Sequence, residues 1–173
     1  MIAITGTPGT GKTSACEVLA SRGYPVRTVL DLAKKYKVAK ASKGGDFAID
    51  TDRLKGKLGD LRGKGAMTIV DGHLSHCLGA DVCIVVRCSP ALLESRLEAR
   101  GYPKQKVRDN VEAEAIDLVL VEAIENCDDT FEIDATEKSA EDVANDIERI
   151  LNGETRHYEP GKVDWSGEVL SWY

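Results

Sequence analysis

The stretch Gly6-Thr7-Pro8-Gly9-Thr10-Gly11-Lys12-Thr13 sets three glycines, a proline and a lysine between a short apolar run and a helix-like pattern. Its spacing fits GxxxxGK[ST] in full, in the strand-then-helix context that the motif requires. Glycines let the backbone curl until several N–H groups point inward. Those donors, with a helix N-terminus, hold phosphate oxygens. Lys12 then supplies a charge between the β- and γ-phosphates, and Thr13 offers its hydroxyl to Mg²⁺. The loop predicts nucleotide binding and leaves the reaction open.

Further residues carry chemistry that matches. Asp71 closes the apolar run Ala66–Asp71, and an aspartate beside a phosphate loop orders Mg²⁺, commonly through water. His73 follows two residues later, where a neutral imidazole positions a water or a phosphoryl group. The i, i+3 spacing of His73 and His76 in a loop does not make a metal pair. Arg96 and Arg100 share a helix face. They read either as a solvated face with Glu94 and Glu98 or as guanidinium groups on the transferred phosphate. The Gly101-Tyr102-Pro103 break marks a hinge for a short lid. Arg87, at the end of an apolar strand, faces the expected ligand edge. Lys34, Lys35, Lys37, Lys40 and Lys43 form a cluster that reads as a solvated loop, or as capture of a second anionic substrate or of RNA.

These residues need a scaffold, and its elements alternate. Apolar strand-like runs cover Met1–Thr5, Val26–Leu30, Ala66–Asp71, Asp81–Arg87 and Thr130–Asp134. Helix-like stretches cover Lys12–Arg22, Asp52–Arg62, Ser89–Arg100, Lys104–Asn126 and Ser139–Asn152. Ser89 caps a helix with Pro90 in its first turn and Gly101 beyond its end, and Ser139 opens a capping-box-like start. Alternation of this kind predicts an α/β fold: a five-stranded parallel sheet with helices on both faces. Residues 33–50, rich in lysine and then glycine, read as an inserted mobile lobe. The tail 153–173 has weak periodicity but holds Tyr158, Trp165, Trp172 and Tyr173, four of the nine aromatic residues in the chain. A free linker is usually poor in aromatics, so docking of the tail on the core is expected.

The bulk properties bound the rest. A length of 173 residues suits one domain with a real core. A net charge of -6 argues against general attraction to nucleic acid, so any such contact would be local. Five cysteines, odd in number and without CxxC spacing, predict reduced thiols in a cytoplasmic protein rather than a disulfide framework or a zinc site. No signal peptide is expected, since the first residues read as a strand. No apolar run approaches the roughly 20 residues of a membrane helix.

The phosphate loop, the "IVDGH" stretch, "RLEARGY" and Asp109, Asn110 and Glu114 together resemble the adenylate kinase isoenzyme 6 family, in its archaeal form, over residues 1–152. The resemblance implies a P-loop NTPase core of adenylate-kinase type, with a nucleoside-monophosphate lobe at about 29–52 and a lid at about 99–109. It implies phosphate-binding roles for Gly9, Gly11, Lys12, Thr13 and Ser14, a lid arginine at Arg100 and a base-side lysine at Lys138. It further implies transfer between ATP and AMP, ATP hydrolysis, and a part in small ribosomal subunit maturation through a platform ribosomal protein and, by extension, rRNA. The chain departs from classical adenylate kinases in "TVLDLAKKY", where lysines stand in place of the arginine that holds the AMP phosphate. Two alternatives therefore stand beside the AMP kinase: an ATP-switched ribosome-assembly factor, and a P-loop kinase for another small acceptor.

Overall fold

A computed structural model describes residues 1–41, 47–61 and 67–172. Lys43, Ala66 and Tyr173, singled out above, lie outside the described residues. Five strands, β1 (Ile2–Thr5), β2 (Val26–Thr28), β5 (Ile69–Asp71), β6 (Val82–Arg87) and β7 (Asp129–Asp134), form a parallel sheet in the order β2-β5-β1-β6-β7. The central strand β1 pairs with β5 through Ile4↔Asp71 and with β6 through Thr5↔Val85. The phosphate loop and Asp71 therefore leave the same edge of the sheet, side by side.

Strand alternation divides the core. Ile2, Ile4, Ile69, Ile84 and Val86 face α1 (Lys12–Ser21) and α7 (Ala140–Leu151), where Leu19, Ile147 and Ile150 meet them. Ala3, Val70, Cys83 and Val85 face the other way. They pack there against α2 (Val29–Lys35), α3 (Thr51–Lys57) and α6 (Leu118–Asn126). Each fully buried Leu or Ile contributes about 1.5–3 kcal/mol. A third cluster, Cys88, Leu93, Leu97, Val107 and Val111, joins α4 (Pro90–Ala99) to α5 (Lys104–Ala115).

Two expectations change. The strand predicted over Val26–Leu30 stops at Thr28, because the Thr28 hydroxyl accepts the Asp31 N–H at 3.0 Å and starts α2. Within residues 33–50, the stretch read as an inserted lobe, lie the end of α2 and an antiparallel pair, β3 (Ala39–Ala41) with β4 (Phe47–Ile49). The single helix predicted over Lys104–Asn126 is broken between α5 and α6 at Asp117, which takes φ 58°. Arg87 holds that break, donating to the Glu114 carbonyl at 3.2 Å and to the Asp117 carboxylate.

Beyond α7 the chain turns back onto the sheet. Tyr158 is buried among α7 and β7 residues, and its hydroxyl donates to Asp146 at 2.7 Å. The Glu132 N–H donates to the Tyr158 carbonyl at 2.8 Å, which covers the otherwise open edge of β7. A short helix, α8 (Ser166–Leu170), follows Trp165, and Glu168 accepts the Ala91 N–H at the start of α4. Leu170 and Trp172 remain exposed.

Candidate active site

Local geometry makes the phosphate loop. Gly6 lies where an added Cβ would stand 2.3 Å from the Val86 carbonyl oxygen, so only glycine fits. Gly9 takes φ +101° and packs its bare Cα on Leu93 and Leu97 of α4. Helix α1 starts from Gly11 with no side-chain cap and no acidic residue in its first turn. Its first N–H groups thus remain for an anion.

Around this loop lies a cavity of about 220 Å³ lined by Pro8, Gly9, Gly11, Lys12, Thr13, Ser14, Gly72, His73 and Arg100. Lys12 is buried, and its ammonium donates to the Thr7 carbonyl at 3.3 Å. Burial pushes the Lys12 pKa down, and Asp71 acts against that fall. The Thr13 hydroxyl donates to Asp71 Oδ2 at 2.9 Å. Asp71 Oδ1 is buried with no hydrogen-bond partner among the described residues. Burial raises the Asp71 pKa, opposed by the Thr13 hydroxyl and by Lys12. A carboxylate oxygen left without a donor beside a hydroxyl is an all-oxygen set that suits Mg²⁺, which takes one or two protein carboxylates and completes its shell with water and phosphate.

The other candidates divide. His73 is exposed at the cavity rim, its carbonyl held by the Thr5 hydroxyl at 3.3 Å. His76 is buried instead, with Nδ1 2.9 Å from Thr5 Oγ1 and Nε2 3.1 Å from Glu122, and serves the core. Arg100 lines the phosphate cavity, whereas Arg96 does not. Its Nη1 lies 3.4 Å from the Gly9 and Thr10 carbonyls and braces the loop from the α4 side. Arg96, Arg100 and Lys138 border an adjoining hollow of about 260 Å³ that shares Gly9, Gly11 and Ser14 with the phosphate cavity. Lys138 is ion-paired there with Asp146 at 2.7 Å. Arg87 does not face the ligand edge. It is buried, and its guanidinium bonds Glu114, Asp117 and Glu132.

On the opposite side a cleft of about 910 Å³ shares Pro8, Thr13, Gly72 and His73 with the phosphate cavity. It runs past Val29, Phe47, Ile49, Tyr102, Lys106, Asn110 and Leu118. Lys34 and Lys35 are in the last turn of α2, and Lys34 lies over the Phe47 ring at 4.9 Å. Among the described residues all five cysteines are free thiols, with Cys16, Cys83 and Cys88 buried. No helix among the described residues is long and apolar enough to cross a membrane.

Residues 2–117 match the model of the AAA domain family. A protein of Archaeoglobus fulgidus named "Putative adenylate kinase" is 44% identical over 172 residues, covering 98% of this chain and 93% of its own length. A protein of the same name from Methanosarcina mazei is 36% identical over 195 residues, covering 98% and 99%. The chain belongs to this archaeal adenylate-kinase-like family of AAA-domain proteins. Solved structures share the family's fold at lower identity. The shikimate kinase of Acinetobacter baumannii, in complex with shikimate, superposes with a TM-score of 0.57 at 18% identity over 88% of this chain and 93% of that one. A sugar kinase of Janibacter sp. HTCC2649 gives 0.59 at 15% identity, over 87% and 93%.

One buried group escaped the reading of the residues themselves. Glu114 takes the Thr7 hydroxyl on one oxygen at 2.5 Å and Arg87 Nε on the other at 2.5 Å. In "KQKVRDNVEAEA" it is one charge among many, and only contacts distant in sequence, with Thr7 107 residues away and Arg87 27 residues away, separate it from its solvated neighbours.

Proposed function

We propose that this protein is a nucleoside monophosphate kinase that converts ATP and AMP to two ADP, with accompanying ATP hydrolysis. The observation that carries the reading is the line of three joined hollows. The one beside Lys138 receives the base of ATP, the phosphate loop receives its phosphates, and the larger cleft receives the acceptor. Lys12 and Arg100 neutralise charge on the transferred phosphoryl group, and the α1 N-terminus holds the phosphate oxygens. Thr13 and Asp71 would hold Mg²⁺, which would supply positive charge to the phosphates during transfer. An oxygen of the AMP phosphate attacks the γ-phosphorus while the bond from that phosphorus to the β–γ bridging oxygen breaks. That nucleophile is already anionic, so transfer needs no strong base. Water does need orienting and deprotonation, and exposed His73 at the junction of the two cavities is placed for that task.

A second reading, a kinase for another small acceptor, is favoured by one observation: among the described residues the acceptor cleft is lined by one lysine, Lys106, and by no arginine. The resemblance to the isoenzyme 6 family supports a further role as an ATP-switched factor in small ribosomal subunit maturation, with a platform ribosomal protein and rRNA as partners. Purified protein with ATP, Mg²⁺ and a panel of monophosphates tests these readings. ADP formed with AMP supports the AMP kinase, and transfer to a different acceptor favours the second reading. Release of inorganic phosphate alone favours the assembly factor. Lys12→Ala is expected to lower turnover by about 10²-fold or more without changing the circular dichroism spectrum. Wild-type turnover in that variant removes phosphoryl transfer altogether.

A further inference from the structure

Glu114 is 1% exposed and Glu132 3% exposed, so both carboxylates are out of water and need donors. Arg87, also 1% exposed, bonds both and Asp117 besides, leaving one guanidinium for three carboxylates. The Cys88 N–H lies 3.4 Å from Glu114 Oε1, and further donors come from the tail. Lys162 and Val163 present their N–H groups to Glu132 Oε1 at 2.5 and 2.9 Å. The Trp165 indole N–H donates to Glu114 Oε1 at 3.4 Å, and its ring lies 5.9 Å from the Arg87 guanidinium carbon. The other oxygen of Glu114 accepts the Thr7 hydroxyl, and the Thr7 carbonyl accepts the Lys12 ammonium. An unbroken chain of contacts thus runs from the tail to the lysine of the phosphate loop.

We propose that Glu114 and Trp165 are positioning residues for the nucleotide: the docked tail completes the donors around Glu114, and Glu114 fixes Thr7 and through it Lys12. The proposal rests on the reading of the loop as the ATP site. Neither residue lines the 220 Å³ cavity, so both act through the loop. Linkage then requires reciprocity: a tail that tightens ATP binding is itself tightened by ATP.

The test uses the full chain carrying Trp172→Phe, which leaves Trp165 as the one indole among the two tryptophans of the sequence. ATP is titrated without an acceptor while Trp165 emission and its quenching by acrylamide are followed. ATP is expected to reduce the quenching. Trp165→Phe keeps a ring over Arg87 and loses the N–H, and in the otherwise unaltered chain it is expected to weaken ATP binding about fivefold, the low end of typical coupling between sites. Glu114→Gln is expected to weaken it further. Wild-type ATP affinity in a folded Trp165→Phe protein, or quenching indifferent to ATP, overturns the proposal. Lys12→Ala is the separate control: if it binds ATP like wild type, the reading of the loop has failed and not the link to the tail. Should Glu114→Gln fail to fold, Trp165→Phe and the quenching titration still decide.

Discussion

Replacing Gly6 by alanine puts a methyl carbon 2.3 Å from the Val86 carbonyl oxygen and 3.0 Å from Thr10 Oγ1, at φ +144°. Carbon makes its ordinary contacts at about 3.5–4.0 Å. The obstacle is backbone of β6, held between β1 and β7 by hydrogen-bonded ladders, so it cannot swing aside as a side chain would. The loop must shift instead, by roughly 1 Å. A displacement of that size at the reacting centre costs on the order of 10²-fold in rate, and the unfavourable φ costs about 1–3 kcal/mol more in stability. Gly23→Ala is the matched control, with φ +93° and nothing within 4 Å of the new Cβ. It should lower Tm by a few degrees, at about 2–4 °C per kcal/mol, and leave ATP binding alone. Gly9→Ala should fall between the two. Its added carbon meets the flexible ends of Leu93 and Leu97 at 2.8 and 3.0 Å rather than backbone. ATP affinity by calorimetry and ADP formation with AMP read the series, with thermal scans alongside. If Gly6→Ala matches Gly23→Ala in ATP affinity, the loop's fit against β6 is not what shapes the phosphate site.

Burial holds the Asp71 pKa above its ordinary value of 3.8, and Mg²⁺ needs the carboxylate, so metal affinity should fall on acidification earlier than for an exposed aspartate. Lys12→Met removes a charge that lowers this pKa, so the midpoint of Mg²⁺ binding against pH should move upward, and a downward move contradicts the assignment. In the metal-free protein the sign reverses: the raised folded pKa favours folding at low pH, and that contribution is lost as pH rises through it. Tyr158→Phe leaves Asp146 bonded to Lys138 and Arg149 and should cost about 1 kcal/mol, while Tyr158→Ala also empties a buried site and should cost about 3–5 kcal/mol. Equal Tm losses in the two variants would show that the ring is not packed as described. His73→Ala should lower ATP hydrolysis more than transfer to AMP, and equal loss of both would contradict its role in orienting water.

Much of the architecture was legible because the signals are local. The phosphate loop is eight contiguous residues, and Ser89 and Ser139 announce helices by cap chemistry that acts within one turn. The break at Asp117 carried no such signal. No glycine or proline stands there, and a left-handed aspartate is tolerable because Arg87, 30 residues upstream, bonds it. Arg96 and Arg100 illustrate the same limit within the site. Their shared helix face is visible in the spacing, but only packing of α4 against the loop sets Arg96 under the Gly9 and Thr10 carbonyls and leaves Arg100 at the phosphates. Helix α2 was hidden because "VRTVL" is as good a strand as it is a capped helix start, and the Thr28 hydroxyl decides between them.

The contacts around Glu114 also order events in time. Chains are synthesised from the N-terminus, and domains form as their parts emerge. Of the three, the phosphate loop is made first, Glu114 follows it by about a hundred residues, and Trp165 comes 51 residues after Glu114. A nascent chain can thus assemble all five strands and bury Arg87 while two of its carboxylates still await the N–H groups of Lys162, Val163 and Trp165. Contacts this distant in sequence also slow folding, since each closes a long loop before it is rewarded. A message truncated after α7 would therefore yield more than a protein without its tail: its fault would surface far upstream, in the phosphate loop.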